Sequence, residues 1–378
     1  TVPDMAYLAA VLSLERMWPR RARLVLARRT PEVAWRALGS GELARSAVLA
    51  RGLGRGGTEL LANWQRAAGE LDVARLWERH QELGVGVARA SSFPAALVDD
   101  PAPPVALFHR GSLDRLDGAR VAIVGTRKCS RYGRDVAFEL GAQLAEAGVG
   151  VVSGLALGID AAAHQGALTA ATVAPPIAVV GSGLDVVYPR ANAELWRSVG
   201  RDGLLLTEAP LAARPEGWRF PARNRIIAAL ADVVVVVESH ATGGSLSTVD
   251  EALRRNRPVM AVPGSIRNDA SAGTNRLLAD GASPVAGVDD VLALLGCTAG
   301  PRRRVVDQRP PLADDAADVL DAVGWQPTSL DQVVLRTDLD IGTAAMVVEH
   351  LIADRWLVSA GGWLERVPAA YAEGGSVQ

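Results

Sequence analysis

Arg120-Val121-Ala122-Ile123-Val124-Gly125-Thr126-Arg127-Lys128 decides the fold: an apolar run of strand length, closed by a glycine, a hydroxyl and two cations. Five more runs of this kind follow, at Val149–Val152, Ile177–Val180, Leu204–Leu206, Val233–Val237 and Val259–Val262. None alternates apolar with polar residues, the mark of strands buried on both faces of a parallel sheet. Amphipathic stretches at 135–147, 159–168 and 247–255 lie between them. The middle of the chain, 119–296, therefore reads as a doubly wound parallel α/β domain.

Outward from this block the chain changes character. Residues 1–90 carry apolar residues at spacings of three and four, such as Leu60, Leu61 and Trp64, broken by Gly52, Gly54, Gly56 and Gly57, which predicts a small helical N-terminal domain. Residues 91–118 are rich in Pro, Ala and Asp; Pro101, Pro103 and Pro104 prevent regular helix, so this stretch reads as a link leading into the sheet. Residues 297–312, with Arg302–Arg304 and Pro310-Pro311, read as a second, exposed linker. Three helix-like segments follow, at 313–323, 329–336 and 341–353, then a hairpin-like stretch, 356–366, turning at Gly361-Gly362. That is the order of a winged-helix domain over 313–368, with a disordered tail at 369–378.

The 378 residues hold 40 Lys+Arg and 42 Asp+Glu, a formal net charge of -2, which excludes a uniformly basic nucleic-acid coat protein. With 49% hydrophobic and 22% charged residues the chain can fill a core, so wholesale disorder is excluded as well. Cys129 and Cys297 are too few for a disulfide framework or a structural zinc site, and a reducing cytoplasm fits best. No apolar run of about 18 residues occurs, and Asp4 and Glu15 interrupt the first segment, so neither a membrane span nor a signal peptide is expected. The charge is uneven: residues 1–89 hold 14 Arg and 9 acids, whereas residues 298–378 hold 7 Arg and 12 acids. A basic front and an acidic tail point to units with different partners.

Ligands of an open parallel sheet bind outside the carboxyl ends of its strands. Here those ends read Gly125-Thr126-Arg127-Lys128, Ser153-Gly154, Gly181-Ser182-Gly183, Thr242-Gly243-Gly244-Ser245 and Pro263-Gly264. Small residues let backbone N–H groups approach an anion, and the helix after each turn offers its positive start, so a row of phosphate cradles is expected. Phe220-Pro221-Ala222-Arg223-Asn224-Arg225 adds guanidinium groups at a helix start; one of Arg223 and Arg225 should face the ligand and the other form a salt bridge, with either order open. Phe220 and Trp218 could stack on bases or simply pack the loop.

Catalytic readings are weaker. Asp160 and His164 share a helix face and could form an acid/base pair or a helix-locking ion pair, the second being preferred. His80, His109, His240 and His350 lack metal spacing, Ser153 has no identifiable base, and Cys129 has only neighbouring cations to recommend it. With neither a G-x-G-x-x-G fingerprint after the first strand nor a Walker A sequence, no cofactor and no metal are expected. The alternative is an enzyme: Gly243-Gly244-Ser245 with Thr248 and Glu251 resembles the phosphate-and-acid motif of the Lonely Guy nucleotide phosphoribohydrolases, although Thr242 replaces its proline.

The motifs together resemble those of the DNA-processing protein DprA (Smf) family. They are Val124-Gly125-Thr126-Arg127 with Ser130-x-Tyr132-Gly133; Ser153-Gly154-Leu155-Ala156-Leu157-Gly158-Ile159-Asp160; Gly181-x-Gly183-x-Asp185-x-x-Tyr188-Pro189-x-x-Asn192; Phe220-Pro221-x-Arg223-Asn224-Arg225-Ile226-Ile227; Gly244-Ser245-Leu246-x-Thr248; and Pro263-Gly264. The resemblance implies an extended Rossmann domain that binds single-stranded DNA without cleaving it, forms homodimers, and loads the RecA recombinase during natural transformation. It also implies a helical, sterile-alpha-motif-like N-terminal domain and a winged helix as additions. Arg127 and the Phe220-to-Arg225 segment match the family's DNA-contacting positions, and amides around Gly154, Gly181 and Gly244 would hold phosphates. Thr126, Ala229, Gly243 and Ser247 depart from the residues usual in the family. A third possibility makes the winged helix the DNA reader, but 341–353 contains Glu349 and no Lys or Arg, so a protein-contact role is expected there.

Overall fold

The computed structural model describes residues 2–297, 309–325 and 327–367, which divide into two compact units, Thr1–Ala299 and Gly300–Gln378. The Arg302–Arg304 part of the second linker and the tail at 369–378 lie outside the described residues.

The larger unit is built on nine strands: β1 (Gly86–Ala88), β2 (Leu107–Arg110), β3 (Arg120–Val124), β4 (Gly150–Ser153), β5 (Ile177–Val179), β6 (Leu204–Thr207), β7 (Val233–Val236), β8 (Val259–Ala261) and β9 (Ser283–Pro284). Their order across the sheet is β1-β2-β6-β5-β4-β3-β7-β8-β9. Strands β3 to β9 are mutually parallel, while β2 runs antiparallel to β6, and β1 antiparallel to β2.

The apolar runs are explained by their surroundings. In β3, Val121 and Ile123 enter one core together with Val233 and Val235, while Ala122 and Val124 enter the opposite core with Val234 and Val236. Helices Arg131–Glu146 and Ile159–Leu168 cover the first face, and helices Arg219–Leu230 and Leu246–Leu253 the second. With both faces dry, alternation has no polar side to report.

Three strands have no counterpart in the sequence reading. β1 falls within the stretch expected to be helical, and β2 lies inside the expected link at 91–118, where Leu97, Leu107 and Phe108 are fully buried. β9 is two residues long and ends on Pro284. Short edge strands carry too few residues for a period, and a proline is compatible with the sheet only at such an edge.

The helical region before β1 has a core of its own around Leu38, Leu61 and Trp64. Its first helix, Asp4–Ser13, is buried on two sides: Ala6, Ala10 and Val11 face that core, and Leu8, Ala9 and Leu12 pack with Phe108, Val180 and Leu205 of the sheet. This shared packing places the helices and the sheet in one compact unit.

The smaller unit has helices Asp314–Val323, Leu330–Arg336 and Ile341–Ala353, followed by the hairpin β10 (Leu357–Ala360) and β11 (Trp363–Arg366). Val319, Val333, Leu351 and Leu357 form its centre. The helix, helix, helix, hairpin order read from the sequence is the observed one.

Candidate functional site

Strand order reverses beside β3: β4, β5 and β6 succeed one another on one side, β7, β8 and β9 on the other. At such a switch the helices that follow adjacent strands leave to opposite faces and open a crevice. A groove of about 540 Å³ lies there, lined by Gly125–Lys128 after β3, His240 and Thr242–Ser245 after β7, and Phe220, Arg223 and Asn224 of helix Arg219–Leu230. Arg127 and Lys128 are exposed at its rim, and the Arg127 guanidinium lies 5.3 Å from the Phe220 ring centroid. Phe220 is also 5.5 Å from Tyr188, and it packs so close to Gly181 that a Cβ there would meet the ring at 3.2 Å.

Several amides of the expected phosphate cradles already have partners within the chain. The Glu238 carboxylate, fully buried at the end of β7, accepts from the Ser130 amide (2.8 Å) and hydroxyl (2.5 Å) at the start of helix Arg131–Glu146. A Cβ on Gly133 would stand 2.3 Å from that carboxylate, so the helix start is already filled by an internal anion. The Thr126 amide donates to the Glu238 carbonyl (2.7 Å), and the Gly154 amide to the Asp160 carboxylate (3.1 Å). The Gly183, Gly243 and Gly264 amides donate to Ala213, His240 and the Asn275 side chain respectively. Gly244 differs, because a Cβ there would meet nothing within 4 Å. An anion in this groove is therefore met by side-chain cations and one open turn.

Two hydroxyls sit elsewhere than expected, and of the two arginines it is Arg225 that forms the salt bridge and Arg223 that borders the groove. Ser153 Oγ donates to the Ile123 carbonyl (2.6 Å) and Ser182 Oγ to the Val186 carbonyl (2.7 Å); both residues are buried, and neither lines the groove. Gly154 and Gly181 border a small pocket that adjoins it through Arg127, Phe220 and Arg223. Arg225 pairs with Glu208 and donates to the Ala102 carbonyl (2.7 Å), away from the groove. Arg223 borders the groove but is buried, donating to the carbonyls of Gly154 (2.7 Å) and Val179. Burial pushes its guanidinium down to about 10 while Asp160 pulls it up, which leaves it charged at neutral pH. Asn224 donates to Ser247 Oγ (2.6 Å), which donates to the Gly244 carbonyl (2.8 Å), and Ser245 Oγ donates to Ser239 Oγ (2.9 Å). These bonds set the shape of the 243–245 turn.

The family model for DNA recombination-mediator protein A matches residues 85–296, and that for the DprA winged helix domain matches 306–351. The chain is 41% identical to the DNA processing protein DprA of Streptococcus pneumoniae over 224 residues, 59% of this chain and 78% of that one. It belongs to the DNA recombination-mediator protein A (DprA, Smf) family. Protein Smf of Escherichia coli is 35% identical over 75% of each chain. The X-ray structure of the Streptococcus pneumoniae DprA superposes with a TM-score of 0.63 at 34% identity, covering 76% of this chain and 97% of that one. DNA processing protein A of Helicobacter pylori, solved to describe its single-stranded DNA binding mode, gives a TM-score of 0.52 at 30% identity and covers 56% and 95%.

Against that family background the acid/base candidates resolve into structural parts. Asp160 and His164 do not pair: Asp160 accepts from the Gly154 and Ala156 amides, and His164 Nε2 is bonded to the Ile177 carbonyl (3.2 Å). Burial holds the His164 pKa at about 4, so the ring is neutral. Burial also raises the Asp160 pKa, against the pull of Arg223, and raises the Cys129 thiol, the wrong direction for a nucleophile. Sequence reading weighed His240 only as a metal ligand, whereas its Nδ1 is hydrogen-bonded to Thr126 Oγ1 (3.2 Å) in the groove wall, and it passed over Glu238. An acid ending the all-valine run of β7 was the available signal for Glu238. Among the described residues no group of three His, Cys, Asp or Glu could hold a metal, and no helix is long and apolar enough to cross a membrane.

Proposed function

We propose that the groove between β3 and β7 binds single-stranded DNA without altering it. Arg127 and Lys128 meet phosphates, Phe220 offers a stacking face, and Gly244 admits close backbone approach; Arg223 and Asn224 hold the groove in shape. The observation that carries this is the exposure of Arg127 and Lys128 at a groove where several strand-end amides already have internal partners. Such a surface attracts a polyanion through movable side chains and tolerates any base. The binding mode named for the Helicobacter pylori relative supports the same substrate. We place the chain, by family, as a cytoplasmic homodimer that coats incoming single strands and hands them to RecA during natural transformation.

The phosphoribohydrolase alternative depends on Glu251. That carboxylate pairs with Arg254 and Arg255 at 2.5 Å each and does not line the groove. The smaller unit is assigned to protein contact, because helix Ile341–Ala353 exposes Ile341 and Met346 and carries no Lys or Arg.

The test is a salt series with oligo-dT and duplex. Each phosphate neutralised lowers log affinity by about 0.7 per log unit of salt, so Arg127→Ala should weaken oligo-dT binding and flatten that slope by about 0.7. Unchanged affinity and slope refute the site, and tight duplex binding that survives the substitution moves the DNA contact to the winged helix.

A further inference from the structure

We propose that Trp18 and Trp218 form a second nucleobase platform, which carries a single strand off the sheet edge and onto the N-terminal helical region. This rests on the reading of the β3–β7 groove given above. The two indoles are 47% and 44% exposed, with ring centroids 6.0 Å apart at 55°. A guanidinium caps each: Arg21 stands 4.6 Å from the Trp18 centroid and Arg219 4.6 Å from that of Trp218. Two indoles and two guanidiniums thus stand together, with the indoles about half open to solvent.

Continuity gives this cluster its occupant. The indoles line a groove of about 580 Å³ between residues 12–19 of the helical region and the start of helix Arg219–Leu230. That groove shares Gly181 and Arg223 with the small Tyr188–Phe220 pocket, which in turn shares Arg127, Phe220 and Arg223 with the β3–β7 groove. Phe220 and Trp218 are two residues apart, so their Cα atoms are within about 7 Å, the length of roughly two stacked nucleotide steps. Side chains two apart on a helix point to different sides, so a strand leaving Phe220 turns around the start of helix Arg219–Leu230, past Gly181, to reach Trp218 and then Trp18.

The local charges fit the same occupant. Glu216 accepts from Trp218 Nε1 (2.6 Å) and from Arg219 (3.4 Å), so it fixes the ring and the guanidinium and is itself neutralised. Glu208 is paired with Arg225. Arg20 and Arg21, on helix Pro19–Leu26, supply cations for the phosphates of the bases that stack. An aromatic pair flanked by guanidiniums takes any base, since every base has a π face.

The experiment uses the full chain and fluorescence anisotropy with an oligo-dT ladder from about 5 to about 20 nucleotides. Trp18→Leu should leave the affinity for the shortest oligomer unchanged and lower that for the longest by about tenfold. Trp18→Phe should restore most of the loss, and Arg21→Ala should show a smaller loss with the same length dependence. A long oligomer carrying 5-iododeoxyuridine should cross-link, on irradiation, to peptides containing Trp18 or Trp218. Equal affinities at every length, an equal loss at every length, or cross-links confined to the β3–β7 groove each overturn the platform. Arg127→Ala separates the two readings: an unchanged affinity for the shortest oligomer refutes the groove, whatever the ladder shows for Trp18.

Discussion

Replacing Arg223 by methionine removes a buried charge while keeping most of the side chain's length. The guanidinium ties helix Arg219–Leu230 to the ends of β4 and β5 through the Gly154 and Val179 carbonyls, and it faces the buried Asp160. Each hydrogen bond to a charged group contributes about 1.5–3 kcal/mol, and removing one member of a buried charge pair costs about 3–5 kcal/mol. The two figures describe overlapping parts of one network, so the expected loss is about 3–5 kcal/mol rather than their sum. For a unit of this size that lowers the melting temperature by about 6–10 °C, read by calorimetry on the larger transition. Asp160→Asn in the same background should recover at least about 1 kcal/mol, because the acid no longer lies buried without its cation. Arg127→Ala, which forfeits one exposed cation–π contact, should change stability by less than about 1 kcal/mol. The reasoning is refuted if Arg223→Met melts like the parent chain yet binds oligo-dT as poorly as Arg127→Ala. That result would make Arg223 a ligand contact and not a brace.

His164 should give the larger unit an acid sensitivity of its own. With a folded pKa of about 4 against 6.5, the unfolded chain binds more protons between those values, so stability is complete above pH 6.5 and falls by about 3 kcal/mol as the pH drops towards 4. Burial raises Asp160 and Glu208, which act in the opposite sense over part of that window, so the informative quantity is the difference in slope between the parent chain and His164→Gln. Superimposable urea midpoints for the two proteins across that range would count against the assignment. The glycine turns supply a contrasting pair. Gly154→Ala would drive a Cβ to 2.0 Å from the Arg223 guanidinium and should destabilise the fold measurably in urea, whereas Gly244→Ala opens into free space and should leave stability within about 0.5 kcal/mol. If Gly244→Ala also leaves oligo-dT affinity intact, no phosphate approaches that turn closely.

What was legible in the sequence follows from which forces act locally. β3 to β8 were readable because each strand is buried on both faces, so its own residues carry the full signal. β1 and β2 were not, since Gly86–Ala88 and Leu107–Arg110 owe their strand form to pairing with each other and with β6, a partner about a hundred residues away. The site divides in the same way. Arg127 and Lys128 could be placed from sequence, because a cation directly after a buried strand has only the sheet edge to occupy. Arg223 and Arg225 could not be told apart, because Gly154, Val179 and Glu208 decide between them. Trp18 gave no signal, as its partner stands two hundred residues on.

The internal partners of several strand-end amides bear on the net charge of -2. Glu238 and Asp160 serve as anions for the chain's own helix start and strand end, the places where a phosphate would otherwise sit. Acids so placed add to the negative total without repelling a strand, because their charge meets Ser130, Gly154 and Arg223 inside the protein. Filling those positions internally also rigidifies the sheet edge before any ligand arrives, and leaves attraction to exposed arginines and one lysine. Binding of that kind is governed by counterion release and is indifferent to base sequence. A cradle of fixed amides would instead demand one phosphate geometry at each turn. For the single-strand binding proposed for this groove, which has to take any base, the first arrangement is the one that fits.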